Sequence, residues 1–332
     1  MDLVLNTFGT SLQVENQLFL VVHSDGRQLI DPDSLRSISI SKGARISSDA
    51  ALLAIDREIE VLFVDASGKP SGRIWSVKYG SLSTIRRHQL AFSASPAAID
   101  WLKELIGEKL DNQVALLLSI GSANPAVMEK LKKTTVRIQD IRQKVSQATA
   151  ERLADLLPSL RGWEGAASKH YFAAVSACLP DELKFEQRSQ NPATDVFNML
   201  LNYAYGILYG KVEGALIRAG IDPYIGVMHR DEYNRPVLVY DVIERYRVWA
   251  DYVVFGLAAQ KVFNADCYSV RDDGSYWLEN SGKRILIQSF NDYLSEVVRI
   301  KGVDRSRLIQ IDFYAQSLAR MFEKTILPKN ET

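Results

Sequence analysis

The first quarter of the chain alternates between short apolar runs and turn-forming residues. Each run is three to five residues long and is followed by a polar segment such as Asp25-Gly26 or Lys42-Gly43. This spacing predicts β-strands joined by tight turns. The predicted strands are Leu3–Leu5, Leu18–Val22, Ser37–Ile40 and Val61–Val64.

From Pro96 onward the apolar residues recur at helical spacing, and helices are predicted over residues 97–110, 113–120 and 126–156. We therefore predict an α+β protein in which a β-rich part is followed by a larger all-α part. The predicted limits are 1–82 for the β-rich domain, 83–94 for a linker, 95–327 for the helical domain and 328–332 for a flexible tail.

A long apolar run begins directly after Pro236, a residue that often opens helices, and continues to Phe263. It predicts one mostly buried helix, with Asp241 and Glu244 three residues apart and projecting on the same side. Two acids in this arrangement repel each other unless a cation lies between them. An ordinary ion-pair network is the alternative, because Arg245 follows Asp241 and Asp251 follows Arg247 at helical spacing.

Two other segments each carry one side chain of a metal-binding type. Glu164 follows Pro158, where a helix is predicted to begin, and small residues come after it. His229 ends a segment that starts at Asp222. Taken singly, Glu164 also suits a first helical turn, and a lone His is more often structural. Together, one imidazole and two or three carboxylates suit a hard cation such as Mg²⁺ or Mn²⁺, as phosphoryl-transfer enzymes use.

Composition limits the possible classes of protein. The 332 residues are 47% hydrophobic and 24% charged, which is typical of a globular protein with two domains. Cys178 and Cys267 have no disulfide or metal-binding spacing, which indicates a reducing compartment. Neither a basic leader nor a long apolar stretch is visible, so we expect a cytoplasmic protein without a membrane segment.

The net charge is zero, so any binding of DNA has to come from local basic patches. Arg230 and Arg235 are the better candidates because they flank His229. Arg86-Arg87-His88 is a further candidate. A helix from residue 126 to 151 would also place four cations within one sector, although a solvated helix face is the simpler explanation. These four are Lys130, Lys133, Arg137 and Lys144.

Several motifs together resemble those of one family, the CRISPR-associated integrase-endonuclease called Cas-one, over nearly the whole chain. The matching segments are Arg161-Gly162-Trp163-Glu164-Gly165 with Tyr171-Phe172, Arg188 with Asn191–Asp195, Gly220 to His229, Leu238 with Asp241, Glu244 and Arg247, and Gly274–Leu278 with Gly282-Lys283-Arg284. One departure is visible. The basic residue that commonly follows the Glu-Gly pair is replaced by Ala166 and Ala167.

The resemblance implies which residues carry the chemistry. Glu164, His229 and Glu244 would be the catalytic residues and the ligands of Mg²⁺ or Mn²⁺, with Asp241 as a nearby acid that could be a further ligand. Residues that the same resemblance places near DNA are Arg188, Arg230, Arg235, Arg247 and Tyr171.

The resemblance also implies an activity and partners. The family joins the 3′-hydroxyl ends of a short DNA duplex, the spacer precursor, to a repeat by transesterification. Its N-terminal domain is a β-sandwich that forms a homodimer, its helical domain is catalytic, and a Cas-two protein bridges two dimers. Two alternatives remain open, a related transposon-type integrase and a catalytically silent scaffold that only binds DNA.

Overall fold

The N-terminal part of the protein consists of two four-stranded sheets that enclose one apolar core. The computed structural model describes residues 2–66, 68–74, 83–190, 192–229, 235–300 and 302–325. The strands are β1 (Asp2–Leu5), β2 (Ser11–Glu15), β3 (Leu18–His23), β4 (Gly26–Ile30), β5 (Ser37–Ser41), β6 (Arg45–Ile46), β7 (Glu60–Val64) and β8 (Pro70–Ile74). One sheet has the order β1-β5-β7-β8 and the other the order β4-β3-β2-β6.

This core confirms the β-rich N-terminal part and the four predicted strands. Leu12, Phe19, Ile38 and Val61 are fully buried between the sheets, beside a helix, α1 (Ser48–Asp56). The pattern of apolar residues does not predict β4, because only two of its five residues, Leu29 and Ile30, are apolar. Its hydrogen bonds to β3 hold it in the sheet.

Nine further helices build the larger part of the protein. They are α2 (Ser83–Ser93), α3 (Pro96–Ala123), α4 (Pro125–Gln147), α5 (Leu153–Ala177), α6 (Val196–Arg218), α7 (Val237–Ile243), α8 (Arg247–Ala259), α9 (Asn280–Ser295) and α10 (Arg307–Glu323) in the described part of the chain. This part is helical as predicted, but it is not all-α. It also contains two antiparallel hairpins, formed by β9 (Tyr268–Val270) with β10 (Tyr276–Leu278) and by β11 (Val297–Ile300) with β12 (Val303–Ser306).

Two predicted boundaries are wrong. The linker predicted at 83–94 is mostly helix α2, whose Ile85 and Phe92 are buried in the helical core, so this segment belongs to the helical part. The helix predicted over 126–156 is divided, because the backbone becomes extended at Ala148 after α4 ends. The predicted tail at 328–332 lies outside the described residues.

The run predicted as one helix from Val237 to Phe263 is also divided, into α7 and α8. Between them, the N–H groups of Glu244, Arg245 and Tyr246 each bond to the carbonyl three residues earlier, which makes a tight turn. Asp241 lies in α7 and Glu244 in the turn, and these two acids have different partners, as described below.

Buried ion pairs fix the sheets against α6. Arg73 of β8 lies 2.8 Å from Glu60 and 2.5 Å from Glu213 of α6, and Lys211 of α6 lies 2.8 Å from Asp2. Gly214 makes this contact possible, because a Cβ atom there would lie 2.2 Å from Glu60 Oε1. The turn between β7 and β8 is thereby held next to the helical part, where Lys69 reaches the candidate site.

Candidate active site

Two of the predicted metal ligands, Glu164 and Glu244, contact the same buried lysine. Lys109 of α3 contacts Glu164 Oε1, and its Nζ atom lies 2.5 Å from Glu244 Oε2. Glu164 Oε1 also accepts a hydrogen bond from Ser168 at 2.9 Å, and Glu244 Oε1 accepts one from Arg247 at 2.7 Å. The carboxylates of α5 and of the α7–α8 turn, 80 positions apart in the sequence, thus converge on one cation.

Glu164 lies in the middle of α5, because this helix begins at Leu153 and contains Pro158 within it. The prediction that Glu164 starts a helix is therefore wrong, and stabilisation by the helix dipole does not explain its presence. The carboxylate is instead neutralised by Lys109.

The ionisation of this cluster is set by its own charges. Burial alone would lower the pKa of Lys109, but Glu244 and Glu164 outweigh burial and raise it, so the side chain remains an ammonium. Burial would raise the pKa of Glu244, yet Arg247 and Lys109 bring it down to about 2. Glu244 is therefore anionic at neutral pH despite being buried.

This low pKa predicts an acid-sensitive contribution to stability. Because the pKa of Glu244 in the folded state, about 2, lies below its ordinary value of 4.5, the ion cluster stabilises the fold above that value and ceases to do so as the pH falls toward 2. We expect Glu244→Gln to lower the free energy of unfolding by about 3 kcal/mol at about pH 6, at about 1.4 kcal/mol per pKa unit.

Urea unfolding of wild type and Glu244→Gln in EDTA, from about pH 6 to about pH 2.5, measures this contribution. The difference between the two proteins should shrink steadily as the pH falls. A difference of the same size at both ends of the range would contradict the assignment.

Asp241 and His229 form a separate, adjoining unit. Asp241 is fully buried and accepts from the backbone N–H groups of Val227 at 2.7 Å, Met228 at 3.1 Å and His229 at 3.0 Å. Its Oδ1 atom also lies 2.7 Å from Nδ1 of the His229 ring. This hydrogen bond raises the pKa of His229 above its ordinary value, against the effect of burial. The predicted ion pair between Asp241 and Arg245 does not form, and Arg245 contacts Glu108 instead.

The tight path of residues 226–229 brings His229 close to α5. A Cβ atom at Gly226 would lie 2.2 Å from the backbone oxygen of His229, so glycine is required at this turn. Arg161, one helical turn before Glu164, donates a hydrogen bond to the backbone oxygen of Met228. The ring of His229 is thus held through Nδ1 by Asp241, its segment is bonded to α5 one helical turn before Glu164, and 36% of its side chain is exposed.

The side chains present suit a hard divalent cation in their chemistry. Glu164 and Glu244 already share one cation, and Oε2 of Glu244 is buried without a well-aligned hydrogen bond. His229 has its Nδ1 atom engaged by Asp241, which leaves Nε2 as its ligand atom. Within the described residues, however, no three acidic, His or Cys side chains form a ready-made metal cluster.

The predicted DNA-contacting residues differ in position. Tyr171 is fully buried and donates a hydrogen bond to Asp251 at 2.8 Å, so direct contact with DNA does not fit this position. Asp251 also accepts from Tyr205 at 2.5 Å, whereas Arg247, its predicted partner, is paired with Glu244. Arg235 is exposed, and Arg230 lies outside the described residues.

Arg188 and Arg247 line a cleft of about 150 Å³ beside the site, together with Lys69 from the β7–β8 turn. Lys69 donates to the hydroxyl of Tyr240 at 3.1 Å, and the ring of Tyr240 lies 6.1 Å from that of His229. Three cations and several hydrogen-bonding side chains make this cleft suitable for phosphate oxygens.

The basic patch predicted on α4 is exposed as expected. Lys130, Lys133, Arg137 and Lys144 are all on the surface of this helix, and Lys133 pairs with Glu129 at 3.2 Å. In the other candidate cluster, Arg86-Arg87-His88, the side chain of Arg86 lies 3.7 Å from that of Asp222. Whether either patch binds DNA stays a prediction.

Sequence reasoning missed Lys109, although a signal was present. In α3 the buried positions include Leu102, Leu105, Ile106 and Leu110, and Lys109 falls on the same stripe. A lysine on the buried side of a helix requires an anionic partner. Lys69 had no such signal, because the fold alone brings its turn to the cleft.

A sheet-containing N-terminal part and a helical part with carboxylates gathered around a buried cation define a candidate for phosphoryl-transfer chemistry. The chain belongs to the family described as CRISPR associated protein Cas1, whose model matches residues 3–292. It is 32% identical over 315 residues to the CRISPR-associated endonuclease Cas1 1 of Archaeoglobus fulgidus, covering 91% of this chain and 90% of the relative. The family that the motifs indicated is therefore confirmed.

Solved structures share the fold. A casposase bound to integration product has a TM-score of 0.82 at 19% identity, over 100% of this chain and 94% of that chain. A chain of a Cas6-RT-Cas1–Cas2 complex has a TM-score of 0.80 at 21% identity, and the match covers 100% of this chain and 36% of that longer chain. Among the described residues, no helix is both long and apolar enough to span a membrane.

Proposed function

We propose that this protein is a divalent-metal-dependent DNA integrase and endonuclease of CRISPR adaptation. One observation carries the proposal: Glu164 and Glu244, from distant segments, converge on a single cation next to an oriented His229, in a chain of the Cas1 family. Such a site suits the transfer of a phosphodiester, a reaction in which charged oxygens have to be neutralised and held.

The proposed reaction is a transesterification. The 3′-hydroxyl of the incoming DNA attacks a phosphorus atom of the repeat, a new phosphorus–oxygen bond forms, and the bond to the 3′-oxygen of the repeat strand breaks. The attacking hydroxyl loses a proton and the departing oxygen gains one, so the number of phosphodiester bonds is unchanged. Bound Mg²⁺ or Mn²⁺ would neutralise charge on the phosphate and favour the ionised hydroxyl.

Glu164, His229 and Glu244 are the proposed ligands of the cation. Asp241 is better suited to position His229 than to bind the metal, because its oxygens already accept three backbone N–H groups and the ring. Arg188, Arg247 and Lys69 would hold DNA phosphates in the adjoining cleft.

The partners proposed are double-stranded DNA, a second copy of this chain and a Cas2 protein that bridges two dimers, in the cytoplasm. The likeness to a chain of a Cas1–Cas2 complex supports the Cas2 partner. A transposon-type integrase remains the second candidate, because the casposase matches the whole chain in fold. A silent DNA-binding scaffold is the third, and an activity assay tests it directly.

The test uses the purified protein and a branched DNA that mimics a half-integrated product. We expect the branch strand to be released and the interrupted strand to be rejoined with Mn²⁺ or Mg²⁺, and neither product to form in EDTA. Equal activity in EDTA would contradict a metal-dependent reaction. DNA binding without any strand joining, with Cas2 also present, would support the scaffold.

A further inference from the structure

Lys109 occupies the position where a cation bound by both glutamates would lie. Its ammonium contacts Glu164 Oε1 and is 2.5 Å from Glu244 Oε2, and only 5% of the residue is exposed. A divalent cation held by these two carboxylates would need the same space. It would also meet the positive charge of the ammonium at close range.

We propose that Lys109 is a built-in competitor of the divalent cation. Its ammonium holds Glu164 and Glu244 together in the metal-free protein, and it has to leave before a cation can bind both carboxylates. This inference rests on the proposed function, because it takes these glutamates to be metal ligands. It assigns Lys109 the role of a positioning residue that sets the affinity of the site for the metal.

The two oxygens of Glu244 have different partners, and this difference favours replacement of the Lys109 ammonium by a metal ion. Oε1 accepts a hydrogen bond from Arg247 at 2.7 Å, which fixes the carboxylate in place. Oε2 is buried and has the charge contact with Lys109, but it has no well-aligned hydrogen bond. Replacing Lys109 by a divalent ion would give Glu244 Oε2 a partner of higher charge, while the bond from Arg247 to Oε1 keeps the carboxylate in place.

Lys109 has the more flexible side chain of the two cations at Glu244, whereas Arg247 is held more firmly. The lysine side chain is a flexible stem with a compact charge at its end. Arg247 is bonded to Glu244 and stacked at 4.6 Å on the ring of Tyr205. A displaced Lys109 ammonium stays tethered to α3 and close to the metal, so its charge continues to weaken metal binding.

Direct binding of Mn²⁺, followed by the paramagnetic resonance signal of the free ion without DNA or turnover, tests the proposal. We expect Lys109→Gln to bind Mn²⁺ at least about tenfold more tightly than wild type, because a positive charge next to the ion is removed. Lys109→Arg keeps the charge and should stay within about threefold of wild type. The matched control is Lys169→Gln, which removes an exposed lysine from the same helix as Glu164 and should not change the affinity.

Stability provides a second readout that does not depend on the affinity measurement. Lys109→Gln leaves two carboxylates facing each other, so it should melt at a lower temperature than wild type in EDTA. Added Mn²⁺ should then raise its melting temperature by more than it raises that of wild type. Lys109→Met, with a side chain of similar length, serves if the Gln variant does not fold.

The failure of this inference can be distinguished from that of the proposed function. Equal or weaker Mn²⁺ binding by both Lys109 variants that lack the charge would overturn the competitor role, while the metal site would stand. Glu164→Gln identifies the site, since it should weaken binding in wild type and in Lys109→Gln alike. If no protein bound Mn²⁺, or Glu164→Gln had no effect, the metal site itself would be wrong.

Discussion

His229→Ala is expected to lower the rate of strand joining on branched DNA by at least about 100-fold, with Mn²⁺ or Mg²⁺ present. The ring is oriented through Nδ1 by Asp241 and is 36% exposed, so Nε2 is the ligand atom that the variant removes. The fold should be little affected, because Asp241 keeps its three backbone donors. We expect the free energy of unfolding to change by no more than about 1 kcal/mol.

The measurement is the initial rate of rejoining, together with urea unfolding of the same preparations. The control is His170→Ala, which removes a partly buried imidazole six residues after Glu164 on α5. It should retain the activity of wild type. Full activity of His229→Ala would exclude this imidazole from the reaction, and a loss of activity accompanied by unfolding would make its role structural.

The general fold could be predicted from the sequence because its strongest signals are local. Apolar runs between glycine-containing turns predicted β3, β5 and β7, and helical periodicity predicted most of the C-terminal part. Strand β4 and the hairpins could not be predicted in this way, because only two of the five residues of β4 are apolar and tertiary contacts decide whether such segments pair.

Only the three proposed metal ligands of the candidate site could be predicted from the sequence. Glu164, His229 and Glu244 stood out as polar side chains in apolar surroundings and in recognisable motifs. Their partners depend on segments far apart in the sequence: Lys109 lies 55 residues before Glu164, and no spacing rule connects them. The division between α7 and α8 also arises from a turn of backbone hydrogen bonds that the apolar pattern conceals.

Asp241→Asn is expected to cause a large loss of stability. Each oxygen of the carboxylate can accept two hydrogen bonds. All of these positions are used by the N–H groups of residues 227–229 and by the His229 ring. An amide in the same place turns one oxygen into a donor that faces two other donors. We expect the free energy of unfolding to fall by about 3 kcal/mol, since the site is fully buried and no water can replace the lost bonds.

Strand joining by Asp241→Asn should fall as well, because His229 loses the hydrogen bond that orients its ring. Urea unfolding in EDTA and Mn²⁺ binding distinguish the two possible roles of Asp241. A positioning residue gives a large loss of stability without metal and a modest loss of metal affinity, on the order of tenfold to 100-fold. A metal ligand would instead give unchanged stability in EDTA and a loss of binding as severe as that of Glu164→Gln.

The control for Asp241→Asn is Asp222→Asn, in the neighbouring segment that ends at His229. Asp222 accepts one backbone N–H, from Tyr224 at 3.0 Å, and an asparagine oxygen can accept that bond equally well. Its side chain is 25% exposed and lies 3.7 Å from Arg86, a contact worth less than about 1 kcal/mol. A small effect of Asp222→Asn beside a large effect of Asp241→Asn would show that saturation of the buried carboxylate, rather than the loss of one negative charge, holds His229 in place.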